Sequence, residues 1–198
     1  MPTPTVTIEP LSAHPSDDLI IDTLSHWRNL LRPYCREHRL IGPEHQMAWW
    51  ERYLDDSLAK PPRQLLYLVW GDVEILPMAG RESRIVHHTM PVGVGGFCYI
   101  DWHLRRAELS LYIAPAHQHH GYGREALRLL MDEAFGQHNL HTLHCGLHDW
   151  DTRGCSFLRN AGWCYEGVYR DAAWANGKYN NLVLYDFTAR DYKELKRD

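Results

Sequence analysis

The sequence lacks the features that mark several classes of protein. No apolar run approaches the roughly 20 residues that a membrane-spanning helix needs. Residues 1–5 lack the basic and then apolar pattern of a secretion signal. The net charge is only −4 and no long run carries one sign, so nothing indicates binding to nucleic acid. We therefore expect a cytoplasmic protein with neither a membrane nor a nucleic acid as partner.

Metal-binding motifs are also scarce. The five cysteines are scattered and include no C-x-x-C pair, which favours buried reduced thiols. Four of the 14 histidines fall close together: His138, His141, His144 and His148. A predicted strand at residues 140–147 would send His141 and His144 to opposite faces, because side chains alternate along a strand. We therefore expect no metal site, and a metal-dependent hydrolase is the third of three functional hypotheses.

What is present is the pattern of one α/β domain over residues 1–198. Apolar runs and alternation predict strands at 6–8, 65–70, 92–100, 107–113, 140–147, 163–172 and 179–187. Start signals and helical spacing predict helices that begin near residues 17, 43, 121 and 151. Gly71-Asp72 is predicted to be a turn, 77–89 an exposed loop, and Asn176-Gly177 a hairpin turn. This order predicts a mixed sheet with helices on both faces.

The segment after the strand at 107–113 carries a predicted anion site. A loop leads from this strand to Gly121, where a helix begins. Unpaired N–H groups and the positive end of the helix dipole attract phosphate at such a start. Gly121 and Gly123 let the backbone approach an anion closely, and Arg124 can add a charge-assisted contact. The loop between strand and glycines argues against a dinucleotide-binding βαβ unit.

The spacing Gln118-x-x-Gly121-x-Gly123 resembles the acetyl-CoA motif Q/R-x-x-G-x-G/A of the GNAT superfamily of N-acetyltransferases. The resemblance implies an α/β (α+β) GNAT fold with a mixed, mostly antiparallel sheet of about seven strands. It also implies that loop N–H groups hold the pyrophosphate of CoA and that the preceding strand pairs with the pantetheine arm. The implied contacts are Leu111, Tyr112, Ile113, Gln118, His119, His120, Gly121, Tyr122, Gly123 and Arg124. For the two histidines, exposure to solvent is the alternative.

Two other segments resemble the ribosomal-protein acetyltransferase-like and amino-sugar acetyltransferase-like branch of that superfamily. These segments contain Asn29, Glu44-His45 and Trp49 in the N-terminal half and residues 166–170 near the other end. The resemblance implies that four residues of the two-helix region recognise the acceptor: Arg28, Asn29, Glu44 and His45. Helix capping and surface salt bridges are the alternative for these residues.

Glu108 is the first candidate for a catalytic base. It lies thirteen positions before Gly121, where many members of the superfamily place a catalytic glutamate. An attacking amine must lose a proton, and a positioned carboxylate can accept it. The alternative is that Glu108 forms an ion pair with Arg105 or Arg106.

The segment from Asp151 to Gly162-Trp163 resembles a helix-to-strand segment of the same superfamily, with two departures. Leu158 stands where many members have a tyrosine that protonates the departing thiolate, so Ser156 or a water is the candidate proton source. Asp151 replaces an asparagine, and since a carboxylate would repel phosphate we expect it to cap the helix.

The function implied by the resemblance is direct transfer of an acetyl group from acetyl-CoA to a primary amine. The amine belongs either to a small molecule, such as an amino sugar, a polyamine or an antibiotic-like compound, or to a protein N-terminus. The competing hypothesis is a non-catalytic acyl-CoA-binding module that regulates a partner. We expect a homodimer, formed through an edge strand or the C-terminal strand, as the assembly.

Overall fold

The computed structural model describes residues 3–15, 17–35, 40–75, 86–175 and 177–197. Its strands are β1 (Val6–Pro10), β2 (Leu65–Ile75), β3 (Val86–Asp101), β4 (Arg106–Ile113), β5 (Thr142–His148), β6 (Cys164–Ala175) and β7 (Lys178–Thr188). Its α-helices are α1 (Asp18–Leu30), α2 (Pro43–Leu58), α3 (Tyr122–Met131), α4 (Thr152–Asn160) and α5 (Ala189–Leu195). A π-helical turn at Asp132–Gln137 continues α3.

The strands form one seven-stranded sheet in the order β1-β2-β3-β4-β5-β7-β6. Every neighbouring pair is antiparallel except β4 and β5, which are parallel. A parallel pair needs a crossover, and α3 supplies it between these two strands. Because β4 and β5 are parallel, their C-terminal ends lie at the same edge of the sheet, and α3 begins near that edge.

Helices α1 and α2 cover one face of the N-terminal half of the sheet. The Asp17 carboxylate caps α1 by accepting a hydrogen bond from the Ile20 N–H at 3.1 Å. The apolar side chains of α1 and α2 meet those of β2 and β3 in one buried cluster, which includes Leu24, Trp50, Leu68 and Val94. Burial of this stripe, rather than intrinsic helix propensity, stabilises both helices.

Helices α3 and α4 cover the opposite face of the sheet. Leu127 and Leu130 of α3 and Leu158 of α4 are buried against the strands, together with Leu109 of β4 and Leu143 of β5. On β4, the odd-numbered side chains from 107 to 113 belong to this face. Since side chains alternate along a strand, Glu108, Ser110 and Tyr112 must point to the α1–α2 side.

The predicted α/β class, the seven strands, their mostly antiparallel arrangement and the helices on both faces are confirmed. The hairpin of β6 and β7 is also present, although Asn176 itself lies outside the described residues. Helix α5 was not predicted from the sequence. Its capping box consists of Thr188 and Asp191, which exchange hydrogen bonds between side chain and main chain.

Two predictions about loops were wrong. Gly71 and Asp72 lie inside β2 instead of forming a turn, and residues 86–89 of the predicted loop belong to β3. Residues 77–85 of that loop are outside the described part of the chain. Gly71 pairs with both β1 and β3, and its lack of a side chain makes room for the Tyr122 ring: an ideal Cβ there would lie 2.6 Å from a ring carbon.

Candidate active site

Strands β4 and β5 run together for only three residues. Their register pairs Arg106 with Thr142, Ala107 with Leu143 and Glu108 with His144. Beyond these pairs, the described residues of β4 continue to Ile113 and those of β5 to His148 without further pairing between the two strands. The two parallel strands therefore separate and leave a gap in the sheet, directly before the start of α3.

The edge of β4 that faces this gap presents main-chain groups. Ala114 donates its N–H to the Val92 carbonyl of β3 at 2.9 Å, so the main-chain groups of Ala114 and Tyr112 face β3. Main-chain direction alternates along a strand, and the N–H and C=O groups of Leu111 and Ile113 therefore face the gap. Gln118 donates from its Nε2 to the Ile113 carbonyl at 2.9 Å. An extended ligand chain can pair with the groups that remain.

The loop that joins β4 to α3 contains two residues with a left-handed backbone conformation. His119 has a φ of +65° and Gly121 a φ of +87°, and Gly121 is the N-cap of α3 without a side-chain hydrogen bond to the helix. The first N–H groups of a helix have no acceptor within the helix, and its dipole is positive at that end. The loop therefore offers several N–H donors and a favourable potential for a bound anion.

The side chains of this loop take different positions. Tyr122 is buried, and its hydroxyl donates to the Asp72 carbonyl of β2 at 2.7 Å, which fixes the start of α3 to the sheet. His119, His120 and Arg124 are exposed, and one ring nitrogen of His120 lies 2.7 Å from the Gln118 carbonyl oxygen. For the two histidines, exposure to solvent was the alternative to a phosphate contact. Exposed rings can still reach a bound phosphate, so that contact stays a prediction.

Glu108 lies beside an acidic cleft on the α1–α2 side of the sheet. The cleft has a volume of about 680 Å³; its charged lining residues are three carboxylates, Glu108, Glu166 and Asp186, and one cation, Arg106, and His144 lines it as well. The register places Glu108, His144 and Asp186 next to one another across β4, β5 and β7. Burial raises the pKa of the Asp186 carboxyl, and the charges of Glu166 and Asp191 raise it further. This set of carboxyl groups favours a cationic guest of small size.

A family model described as an acetyltransferase (GNAT) domain matches residues 7–163. The chain belongs to the GNAT acetyltransferase family. The predicted family, its acyl-transfer activity toward an amine and the acetyl-CoA co-substrate are confirmed. Nothing supports the hypothesis of a non-catalytic module.

Proteins of similar sequence carry acetyltransferase names. An uncharacterized N-acetyltransferase p20 of Bacillus licheniformis is 28% identical over 141 residues, which are 71% of this chain and 77% of that protein. The spermidine N(1)-acetyltransferase of Escherichia coli K12 is 30% identical over 79 residues, 40% of this chain and 42% of the relative. The second match is confined to less than half of either chain.

Solved structures share the fold of this GNAT chain. The spermidine N-acetyltransferase of Vibrio cholerae in complex with CoA and spermine has a TM-score of 0.75 at 16% identity, over 95% of this chain and 98% of that one. A dodecameric structure of the Vibrio cholerae enzyme has a TM-score of 0.70 at 17% identity, over 98% of each chain. At these identities the likeness establishes the fold alone.

Helix α4 of the acetyltransferase begins as predicted. The Asp151 carboxylate accepts a hydrogen bond from the Gly154 N–H at 2.8 Å and so caps the helix. Leu158 is buried in the core at 3% exposure, while Ser156 is half-buried and accepts a 3.3 Å hydrogen bond from Arg159. Phe157, which was not predicted from the sequence, lies close to Gly123: an ideal Cβ on that glycine would be 3.8 Å from its ring.

The four predicted acceptor residues of the GNAT chain do not form one group. The Asn29 amide makes two hydrogen bonds with the main chain of Ile41, at 2.9 and 2.8 Å, and so fastens the segment that joins α1 to α2. Glu44 and His45 are exposed on the first turn of α2. Arg28 is half-buried and donates to Gln46 at 3.2 Å. Of the predicted set, Arg28 is thus directed into the α1–α2 interior.

Neither a metal-ligand cluster nor a membrane-spanning helix occurs in the part of the chain that the structure describes. No group of three or more His, Cys, Asp or Glu side chains there could hold a metal ion. No helix among those residues is long and apolar enough to cross a membrane. His141 precedes β5, whereas His144 and His148 line the cleft.

Proposed function

We propose that the chain binds acetyl-CoA along the open edge of β4 and transfers its acetyl group to an amine that enters through the Glu108 cleft. The observation that carries this proposal is the separation of β4 and β5 immediately before the uncapped, glycine-containing start of α3. An extended chain that ends in a pyrophosphate fits these two features, because one offers strand pairing and the other offers N–H donors.

The residues proposed to hold acetyl-CoA act mainly through their main chains. The N–H groups of the loop and of Gly123 would bind the pyrophosphate, and Leu111 and Ile113 would pair with the pantetheine arm. The Gln118 side chain donates a hydrogen bond to the Ile113 carbonyl and so holds in place the strand edge on which that arm would lie. Acetyl-CoA supplies the activated thioester when bound.

Glu108 is proposed as the base of the reaction. An amine enters mostly as a cation and must lose a proton before it can attack, and Glu108 would accept that proton directly or through water. The carboxyl groups of the cleft would attract the cation before this step. A thiol has a pKa near roughly 8.5, so the thiolate leaves readily and Ser156, our proposed proton source, has little to contribute.

The acceptor is proposed to be a small molecule rather than a protein N-terminus. The cleft has the volume of a small-ligand site, and the carboxyl groups around Glu108 suit an amine. Relatives named spermidine N-acetyltransferase act on a polyamine, and amino sugars satisfy the same requirement for an exposed primary amine.

Thiol release from acetyl-CoA over a panel of amines tests this function. Wild-type protein should turn over at least one amine, and Glu108→Gln should lower kcat by roughly 100-fold or more while leaving the Kd for CoA unchanged, since general-base catalysis contributes this much. Glu51→Gln, at an exposed position of α2, is the matched control and should keep full activity. Full turnover by Glu108→Gln would refute the role of this base. Failure of CoA to bind the wild type at millimolar concentration would refute the whole site.

Assembly and location complete the proposal. We infer a homodimer through β6, an edge strand whose Tyr165, Tyr169 and Trp174 are exposed. Exposed aromatic patches of this kind mark interaction surfaces. Light scattering should give twice the mass of one chain, and Trp174→Glu should reduce the measured mass to that of a single chain.

The location is proposed to be the cytoplasm. All five cysteines are thiols, which suits a reducing cytoplasm, and cell fractionation would test that location.

A further inference from the structure

Helices α1 and α2 leave one part of their face of the sheet uncovered. The buried cluster that joins the two helices to the sheet takes its strand side chains from β2, β3 and β4. Among the residues that the structure describes, this cluster includes no side chain of β5, β6 or β7. The cleft that contains Glu108 occupies the uncovered part, because β5, β6 and β7 supply most of its lining.

Two leucines form the floor of the cleft beyond its charged end. Leu182 and Leu184 lie on β7 and line the cleft. Their neighbours Val183 and Tyr185 pack into the core on the α3–α4 side, so the alternation of side chains directs the leucines to the α1–α2 side. Both leucines are half-buried, and neither belongs to the three apolar clusters that the described residues form. Their apolar surface therefore faces the cleft instead of the core.

The register places the charged and the apolar lining residues at different ends of the cleft. Through β5, Glu108 of β4 is level with Asp186 of β7. Leu184 and Leu182 follow at two and four residues from Asp186, which correspond to about 7 and 14 Å along the strand. With two strand spacings of about 4.8 Å across the sheet, Glu108 and Leu184 are about 12 Å apart. The cleft is thus acidic around Glu108 and apolar farther along β7.

Aromatic side chains line the apolar end of the cleft. Tyr169 and Trp174 of β6 belong to its lining and are 62% and 60% exposed. Tyr169 is opposite Leu182 in the register of β6 and β7. Trp174 is held by an edge-on contact with Tyr179, with ring centres 4.9 Å apart. Rings beside the leucines offer an apolar guest a large contact area.

The size and position of this floor suit a small molecule better than a second chain. A second copy paired along β6 would extend the sheet beyond that edge, whereas the leucines lie one strand further in, on β7. The cleft volume of about 680 Å³ is that of a site for a small ligand. The floor is also continuous with the carboxylates around Glu108, so one molecule can occupy both ends.

We propose that the acceptor is an amphiphilic primary amine, with its amino group near Glu108 and an apolar tail on Leu182 and Leu184. This inference rests on the proposed function, because it names the class of acceptor for that reaction. A tail on this floor removes apolar surface of both partners from water, which favours binding. A polyamine would place a second ammonium on the leucines and an amino sugar would place hydroxyl groups there. Both would lose hydration, because leucine side chains accept no hydrogen bond.

A matched pair of amines tests this class of acceptor. Heptylamine and hexamethylenediamine have the same length, but the first ends in a methyl group and the second in an ammonium group. We expect the kcat/KM of heptylamine to be roughly tenfold or more above that of the diamine, because the ammonium would be desolvated on the leucines. In the series propylamine, pentylamine and heptylamine, kcat/KM should rise roughly fourfold for each methylene group that reaches the floor.

Variants assign this preference to the floor. Leu184→Ala should lower kcat/KM for heptylamine more than for propylamine. Leu184→Asp places a carboxylate on the floor and should reverse the preference in favour of the diamine, which a purely structural leucine would not do. Leu182→Ala is the second variant if Leu184→Asp does not fold. Leu58→Ala is the matched control, because Leu58 is 80% exposed at the end of α2 and outside the cleft lining, and it should leave the preference intact.

Equal kcat/KM for the matched pair, or a preference of the wild type for the diamine, would overturn the apolar subsite while the acetyltransferase function stands. A changed mass of Leu184→Ala in light scattering with an unchanged amine preference would also overturn it, since a second copy would then cover the leucines. A wild type that binds no CoA or acetylates no amine would instead refute the proposed function. Calorimetric titration with the two amines would then decide the subsite: tighter binding of heptylamine that Leu184→Ala weakens supports it, and equal binding refutes it.

Discussion

Substitution of Gly121 by alanine should affect both stability and coenzyme binding. Gly121 has a φ of +87°, and a left-handed backbone costs a residue with a side chain about 1–2 kcal/mol. An ideal Cβ at this position would also lie 3.1 Å from Cδ of Pro4, which is tighter than an ordinary contact. We therefore expect Gly121→Ala to lower the free energy of unfolding by about 1–2 kcal/mol, measured by urea denaturation.

The loop can relieve this strain only by turning its N–H groups away from their present direction. Loss of one hydrogen bond to a charged group corresponds to about 1.5–3 kcal/mol, so the Kd for CoA measured by calorimetry should rise roughly tenfold to 100-fold. Gly136→Ala, in the π-helical turn that continues α3, is the comparison, because an ideal Cβ there meets nothing within 4 Å, and it should bind CoA like the wild type. If Gly121→Ala also binds CoA like the wild type, our explanation of the loop is wrong.

Three further predictions concern the elements around the site. Gly71→Ala would bring a Cβ within 2.6 Å of the Tyr122 ring and should cost about 1–3 kcal/mol in urea denaturation, less when combined with Tyr122→Ala. Asp151→Ala should cost about 1 kcal/mol through loss of the cap, and Asp151→Asn should restore most of it. Partial burial acts to raise the pKa of Asp132, but its hydrogen bonds to Tyr192 and Lys196 and nearby positive charge outweigh burial and lower the pKa. Asp132 thus stabilises the fold above its unfolded pKa and loses this effect as pH falls through its lower native pKa, so Asp132→Asn should flatten the acid side of a plot of Tm against pH.

The local features of the site could be predicted from the sequence because their signals are local. Gly121 and Gly123 follow a strand at the spacing of an anion-binding helix start, and that helix begins at Tyr122. Asp151 was predicted to cap α4 because its side chain reaches an N–H three residues ahead. Each of these signals depends on a few consecutive residues, so tertiary packing did not alter them.

The contacts between distant segments could not be predicted in the same way. Glu108, His144 and Asp186 become neighbours only through the register of three strands, and a shift of one residue would send a side chain to the other face. The burial of Gln46 depends on how α2 packs against its neighbours, and nothing in the sequence marks it. Gly71 was predicted to lie in a turn because an aspartate follows it. Only the folded protein shows that the Tyr122 ring packs against this glycine.

The capping box of α5, in contrast, was available and overlooked. Thr188 and Asp191 have the spacing of this signal, and they follow directly after a predicted strand. The helix that they start is fixed to the end of α3, where the Tyr192 hydroxyl donates to Asp132 at 2.6 Å.

The position of Pro4 against Gly121 has a practical consequence for protein production. An affinity tag fused ahead of Pro4 would emerge beside the loop that we expect to receive the coenzyme. A tag fused after α5 would emerge near the opposite end of α3, about 15 Å away along a ten-residue helix. Vectors that add a C-terminal tag, or an N-terminal tag that is removed before measurement, are therefore the better choice for titrations and co-crystallisation.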